Sequence, residues 1–391
     1  MTSTKGQSTH LPAIFLGSAA FVFLNFSLPI YADDLGASAV AIGGMYTVFT
    51  LTMLLVRPLI GWCLDHYGRR WFFTIAFIFY TLAMLMFSQS NDLVDFYIAR
   101  FLQGIGSSLM WVSARTIVAD LNDISRRGEE MGRLTTTSVR GSMIGAFYGF
   151  TLLGFMPFEQ AWQWGFAGYA MLALGGLIWS IFKVRETRLP PQKTMTKLIL
   201  SKSMKQLMVI VFLSSFATAL IEPIYLIFLK HKFDLNVMGL AFAFFPAGLV
   251  YAIVPRHAGK LSDKYGRALI IASGVSLAGL VSGGLPWMPS IWFVALFYIL
   301  FAVGWATASP AEDALVSDLA DADQRGRVIG AKEAAAGVGA ALGPLGGGYI
   351  YENVSQPATF AANGSLLLLT AALTLFWFGS RPTQNSTPEN P

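Results

Sequence analysis

Gly61 to Arg70 reads GWCLDHYGRR, and Gly259 to Arg267 reads GKLSDKYGR. The two stretches align without a gap, so Asp65 and Asp263 stand 198 residues apart, each loop lying between long apolar runs. The same register extends outward from the loops. Asp120 matches Asp318, Arg127-Gly128 matches Arg325-Gly326, and Gly132, Gly141, Gly145 and Gly149 match Gly330, Gly339, Gly343 and Gly347. Agreement at so many charged and glycine positions in one register marks an internal repeat. If each repeat holds an even number of membrane crossings, the two halves run parallel.

Composition agrees with a membrane protein. Of 391 residues, 54% are hydrophobic and only 13% charged, with 31 Phe and 38 Gly, too few charges for the surface of a soluble chain of this size. Cys63 is the only cysteine, which excludes an internal disulfide and a four-cysteine zinc site. Apolar segments of ~20 residues, the length that crosses ~30 Å of hydrocarbon as helix, recur twelve times. They cover 11–31, 38–62, 71–89, 95–118, 134–156 and 164–183, then 207–229, 236–258, 269–287, 291–316, 329–351 and 358–378. Lipid offers no partner to unpaired backbone groups, and the segments lack the alternation of barrel strands, so each is expected to be helical.

Twelve spans put both termini on one side. With the termini in the cytoplasm, 20 of the 27 Lys and Arg fall in cytoplasmic segments or, like Lys183 and Arg256, at the cytoplasmic end of a span, two (Lys230 and Lys232) fall in outer loops and five lie deeper within spans. This asymmetry sets the orientation. The basic pI near 9 is therefore a matter of topology, and nucleic acid is not an expected partner. No small-residue cleavage site follows a short apolar core near the start, so the first span is expected to remain as an anchor. The reading is an all-α membrane protein: a six-helix bundle over 1–183, a cytoplasmic linker over 184–206 carrying Pro190-Pro191, a second bundle over 207–378 and a cytoplasmic tail over 379–391.

With these features the chain resembles the major facilitator superfamily. Gly61, Asp65, Gly68, Arg69 and Arg70 are similar to that family's signature loop between helices 2 and 3, and Gly259, Asp263, Gly266 and Arg267 to its echo between helices 8 and 9. Arg100-x2-Gln103-Gly104-x-Gly106 is similar to its helix 4 motif. The resemblance implies alternating access, two bundles rocking about a central cavity. It implies an integral protein of the bacterial cytoplasmic (inner) membrane, acting as a monomer on a small molecule and protons, with no cofactor and no metal. On physical grounds the loop glycines allow a sharp turn and close approach to neighbouring helix ends. Asp65 is placed to face the positive N-terminus of a helix, and Arg69 to pair with an acid such as Asp120. The alternative is a simple positive-inside anchor, which explains the arginines but neither the aspartate nor the glycines.

Span 11 carries Gly339, Gly343-Pro344 and Gly347, which resembles the glycine-proline motif of drug–proton antiporters. In those proteins the motif belongs on span 5, where this chain has Ala146 for the proline and Phe150 for the last glycine. Close packing of helices through small residues explains the same stripe.

An ionisable residue inside a span costs at least ~2.5 kcal/mol on insertion scales, so it is expected to face a cavity or a partner. Span 4 sets Arg100, Gly104, Ser107, Trp111 and Arg115 on one face. Span 7 aligns Ser215, Thr218, Glu222 and Tyr225; span 10 aligns Trp305, Ser309 and Glu312, with Asp313 beside them. Asn25 is the one amide near the middle of span 1. In the family, helices 1, 4, 7 and 10 line the cavity. Glu222, just before Pro223, is read either as a proton carrier with a pKa raised by burial, or as a carboxylate held by a neighbouring Arg or Tyr. Pro223 removes a backbone hydrogen bond that would otherwise close the helix there. Arg115 and Asp313 are repeat mates and could bridge the halves as an inner gate. Arg140 could attract an anionic substrate or pair within its bundle, while Lys332-Glu333 is read as structural.

The leading expectation is a proton-coupled efflux carrier of small organic or amphipathic compounds. The runner-up is proton-coupled uptake of a small metabolite, with anions among the candidates. A membrane sensor without transport has no signalling domain to support it. A membrane enzyme lacks H-E-x-x-H, G-x-S-x-G and a P-loop.

Overall fold

The computed structural model describes residues 9–122, 124–187, 200–241, 250, 254, 261–319 and 325–379. Among them every regular element is helical. In chain order these are α1 (Leu11–Gly17), α2 (Phe21–Asp34), α3 (Ala39–Tyr67), α4 (Arg70–Gln89), α5 (Leu93–Leu121), α6 (Ile124–Phe155) and α7 (Phe158–Lys183). The second half contributes α8 (Lys202–Phe233), α9 (Arg267–Gly284), α10 (Ile291–Leu319), α11 (Arg325–Asn353) and α12 (Gln356–Phe378). Eleven of the twelve expected spans are therefore helical, and the eighth falls mostly outside the described residues. Eight of these segments are long and apolar enough to cross a membrane. α5, α6 and α11 are as long but richer in Gly, Ser, Thr and charge.

The first span departs from expectation by breaking at residues 18–20. The hydroxyl of Ser142 donates to the Ser18 carbonyl at 3.0 Å, and the Ser18 and Ser138 hydroxyls bond each other at 2.8 Å. The same carbonyl accepts from the Phe21 amide at 3.1 Å, so the helix tightens here to an i→i+3 turn with Ser142 of α6 docked on it. The linker also ends earlier than expected. Ser201 caps α8, its hydroxyl accepting from the Met204 amide at 3.2 Å, so residues 202–206 are helical.

The chain divides into two compact units, residues 1–37 with 44–194, and residues 38–43 with 195–391. In the first, α4 packs on α5 and α7, and α6 packs on α1 and α2. In the second, α9 packs on α10 and α12, and α11 packs on α8. These are the same pairings moved by six spans, so the sequence repeat is a repeat of packing. The cores differ in content. Trp162, Phe23, Phe87, Phe96, Phe166 and Tyr169 fill the first, while Leu207, Ile210, Val275, Ala278 and Leu367 fill the second.

The glycine stripes are the seams of these pairings. A Cβ on Gly145 would lie 1.9 Å from the Ala19 carbonyl oxygen, and one on Gly347 would lie 1.8 Å from that of Leu220. Gly339 and Gly343 meet the carbonyls of Phe212 and Phe216 in the same way, one turn apart along α8. Only a residue without a side chain permits such contact. Pro344 lies inside α11, with its carbonyl against Gly43.

Candidate functional site

The loop between α3 and α4 is two residues long. α3 stops because Gly68 takes φ +99°, a left-handed conformation that side chains disfavour. Arg69, next to it, is 7% exposed. Its Nε donates to Asp120 Oδ2 at 2.8 Å, and its Nη1 to the Leu64 carbonyl at 2.7 Å. Arg70 reaches the Ile181 carbonyl with Nη2 at 2.7 Å, holding the loop to the end of α7.

The second copy is built on the same plan. Gly266 takes φ +93° and α9 begins at Arg267. Arg267 Nε donates to Asp318 Oδ2 at 3.2 Å, while Nη1 donates to Ser262 Oγ at 2.7 Å and to Asp263. Arg69–Asp120 and Arg267–Asp318 are therefore one interaction repeated at the 198-residue offset. Gly259 lies outside the described residues. Gly61, on the second-last turn of α3, has open space where a Cβ would lie.

One expected contact is made by another residue. Asp65 does not occupy a helix N-terminus: its side chain is 64% exposed and approaches Arg69 Nη2 at 3.8 Å. The N-terminus of α4 is instead held by Glu186, three residues beyond α7. Its carboxylate accepts from the Arg69 amide at 2.9 and 3.1 Å and from the Arg70 amide at 3.1 Å. Nothing in the local sequence marked Glu186, because the contact closes a separation of 117 residues.

Within the first unit, Arg100 is 1% exposed and organises a polar cluster. It donates to Gln103 Oε1 at 3.0 Å and reaches Asn25 Oδ1 at 3.5 Å. Its guanidinium lies over the rings of Tyr46 and Phe49 at 4.7 and 5.3 Å, and the Tyr46 hydroxyl donates to the Asn25 carbonyl at 2.9 Å. Cation–π contact of this kind stabilises a guanidinium withdrawn from water. The polar face of α5 is thus buried at Arg100, Gln103 and Ser107 and open further on. Arg115 is exposed, 5.8 Å over the Trp111 ring, and Arg140 on α6 is exposed as well.

In the second unit, Lys332 joins Glu312 and Asp313. Its Nζ lies 3.0 Å from Glu312 Oε1 and 2.5 Å from Asp313 Oδ1. Asp313, expected to seek Arg115, is thus engaged by a lysine of its own unit, and Lys332 is more than a helix-start charge. Glu222 also differs from expectation. Every other residue from Ala219 to Leu229 is buried, whereas Glu222 is exposed. α8 runs unbroken through Pro223, because one missing N–H is tolerated in a helix of 32 residues held by its neighbours.

Comparison with known proteins follows this geometry. The family described as the Major Facilitator Superfamily matches the chain over residues 11–331 and again over 207–390. "Multidrug resistance protein 1" of Bacillus subtilis (strain 168) is 26% identical over 378 residues, covering 94% of each chain. The "Synaptic vesicular amine transporter" of Homo sapiens is 26% identical over 361 residues, 89% of this chain and 68% of that one. Among solved structures, the "nucleoside transporter NupG (D323A mutant)" superposes with a TM-score of 0.77 at 12% identity, over 95% of this chain and 99% of that one. At that identity the superposition speaks to the fold.

Proposed function

Because the chain belongs to the Major Facilitator Superfamily, we propose that it is a proton-coupled efflux carrier of small organic or amphipathic compounds, working by alternating access. That it is a multi-pass membrane transporter of small molecules, and not an enzyme, comes with membership. Efflux, proton coupling, a monomeric state, an inner-membrane location and cytoplasmic termini are our reading. The observation that carries it is the full-length similarity to a multidrug resistance protein. Support also comes from the doubled loop, in which a paired charge within each unit, Arg69 with Asp120 and Arg267 with Asp318, holds the same glycine-bounded turn.

The coupling carboxylate in this reading is Glu222. It is the only acid in α8, and an ionisable residue within an apolar span is expected to serve a pathway. A carrier driven by protons needs a group that is neutral in one facing state and ionised in the other. Asn25, Arg100, Arg115 and Arg140 in one half, with Glu312 and Asp313 in the other, are assigned to the substrate and proton pathway. The loop residues from Gly61 to Arg70, with Asp120 and the second copy, are assigned to gating.

The test is ethidium movement in inverted vesicles under an imposed proton gradient. Wild type should accumulate ethidium, and Glu222→Gln should abolish gradient-driven accumulation while leaving binding intact. Gradient-driven accumulation at the wild-type rate in Glu222→Gln would remove Glu222 from the coupling step. A second reading, uptake of a small anionic metabolite, is favoured by the exposed Arg115 and Arg140 in one half. Gradient-driven accumulation of an organic anion in right-side-out vesicles, with no ethidium movement in inverted ones, would select it.

A further inference from the structure

The two gating loops repeat in sequence but not in what holds them. In the first, the backbone amides of Arg69 and Arg70 both donate to the Glu186 carboxylate. These groups stand at the start of α4, where no intrahelical carbonyl is available to them. Gly68 is shaped around this seat: a Cβ there would lie 2.5 Å from Glu186 Oε2. The next residue, Thr187, donates its hydroxyl to Asp120 Oδ2 at 3.2 Å, the same oxygen that accepts from Arg69 Nε at 2.8 Å. Glu186 and Thr187 therefore grip both halves of the Arg69–Asp120 contact at once. In the second copy, among the described residues, no side chain reaches the backbone amides of Gly266 or Arg267; the Gly266 amide bonds the Ser262 carbonyl at 3.1 Å. The residue 198 positions after Glu186 is Gln384, an amide in place of a carboxylate.

We propose that Glu186 is a positioning residue of the first gate. Together with Thr187 it ties the first residues of the segment that leaves α7 to the Gly61–Arg70 loop, so that the loop and the start of the linker move as one piece. The proposal rests on reading that loop as a gate. An anion is favoured at this place because the unpaired N–H groups and the helix dipole both present positive charge. The consequence is an asymmetry among the described residues: the first loop is clamped by the start of the linker, whereas Ser262 and Asp263 hold Arg267 in the second.

The experiment uses the full-length chain with Glu186→Gln, Glu186→Asp and Thr187→Val. Hydrogen exchange at the Arg69 and Arg70 amides is the first measurement, since Glu186 is what protects them. Glu186→Gln should speed exchange there roughly two- to five-fold, the equivalent of a charge–helix contact. Glu186→Asp, which keeps the charge, should restore part of the protection, and Thr187→Val should leave it unchanged. The second measurement is ethidium export. Turnover should fall in Glu186→Gln and recover partly in Glu186→Asp, with the half-saturating ethidium concentration unchanged, because the clamp lies away from the substrate path. Unaltered exchange in Glu186→Gln would overturn the clamp. Faster exchange with wild-type turnover would overturn its role in gating. If the wild type does not carry ethidium, the efflux reading fails, and the exchange result alone decides the clamp.

Discussion

Replacing Asp120 by Asn should cost far more than the same change at its repeat mate Asp318. In the first pair the side chains are 8% and 10% exposed and the atoms 2.8 Å apart; in the second they are 24% and 50% exposed and 3.2 Å apart. At an effective dielectric constant of ~20, the closer pair attracts by roughly 6 kcal/mol before desolvation is subtracted. Removing one partner of a buried pair strands the other charge, with a typical net cost of about 3–5 kcal/mol. An exposed pair contributes about 0–1 kcal/mol, since water and salt replace the partner. Asp120→Asn should therefore lose about 3 kcal/mol and Asp318→Asn less than about 1. For a unit of this size each kcal/mol moves the melting temperature by roughly 2–4 °C, so the first variant should melt ~6 °C or more below wild type. Purified protein in detergent, melted at one protein concentration, gives the comparison directly. Asp65→Asn serves as the control, since an exposed carboxylate 3.8 Å from Arg69 should change melting little. Equal shifts for Asp120→Asn and Asp318→Asn, or a larger one for Asp318→Asn, would show that burial does not set the strength of these pairs.

Lys332→Met leaves Glu312 and Asp313 without their shared cation and should destabilise the second unit by about 3 kcal/mol. Adding Glu312→Gln should recover part of the loss. A double variant no better than the single would mean that the lysine acts elsewhere. His10, 2% exposed at the start of α1, has its pKa pushed by burial from 6.5 down to about 4, with Glu130 raising it and Arg133 lowering it. Between those two values the unfolded chain takes up a proton that the folded chain refuses. Stability should thus fall as pH drops from about 6.5 to about 4, by up to roughly 3 kcal/mol. Melting followed against pH in wild type and His10→Leu should show this slope only in the wild type; the same slope in both would assign it to other groups.

Sequence by itself determined the helices, the repeat and the partnership of Arg69 with Asp120. Each of these is written either in a local period or in a copy of itself: ~20-residue apolar runs, and a register of 198 that the packing of α6 on α1 and α11 on α8 reproduces. Helical spacing fixes which residues share a face, but not which side chain from a distant segment arrives opposite them. For that reason only the tertiary structure decided that Glu186, and not Asp65, holds the start of α4, and that Lys332 engages Asp313. It also decided that Glu222 is the exposed residue in a buried run, and that the first span tightens into a turn at residues 18–20, where a serine of α6 docks. A repeat copies backbone geometry, whereas the strength of a charge pair depends on the water around it. The same Arg–Asp motif is consequently buried in one unit and half-exposed in the other.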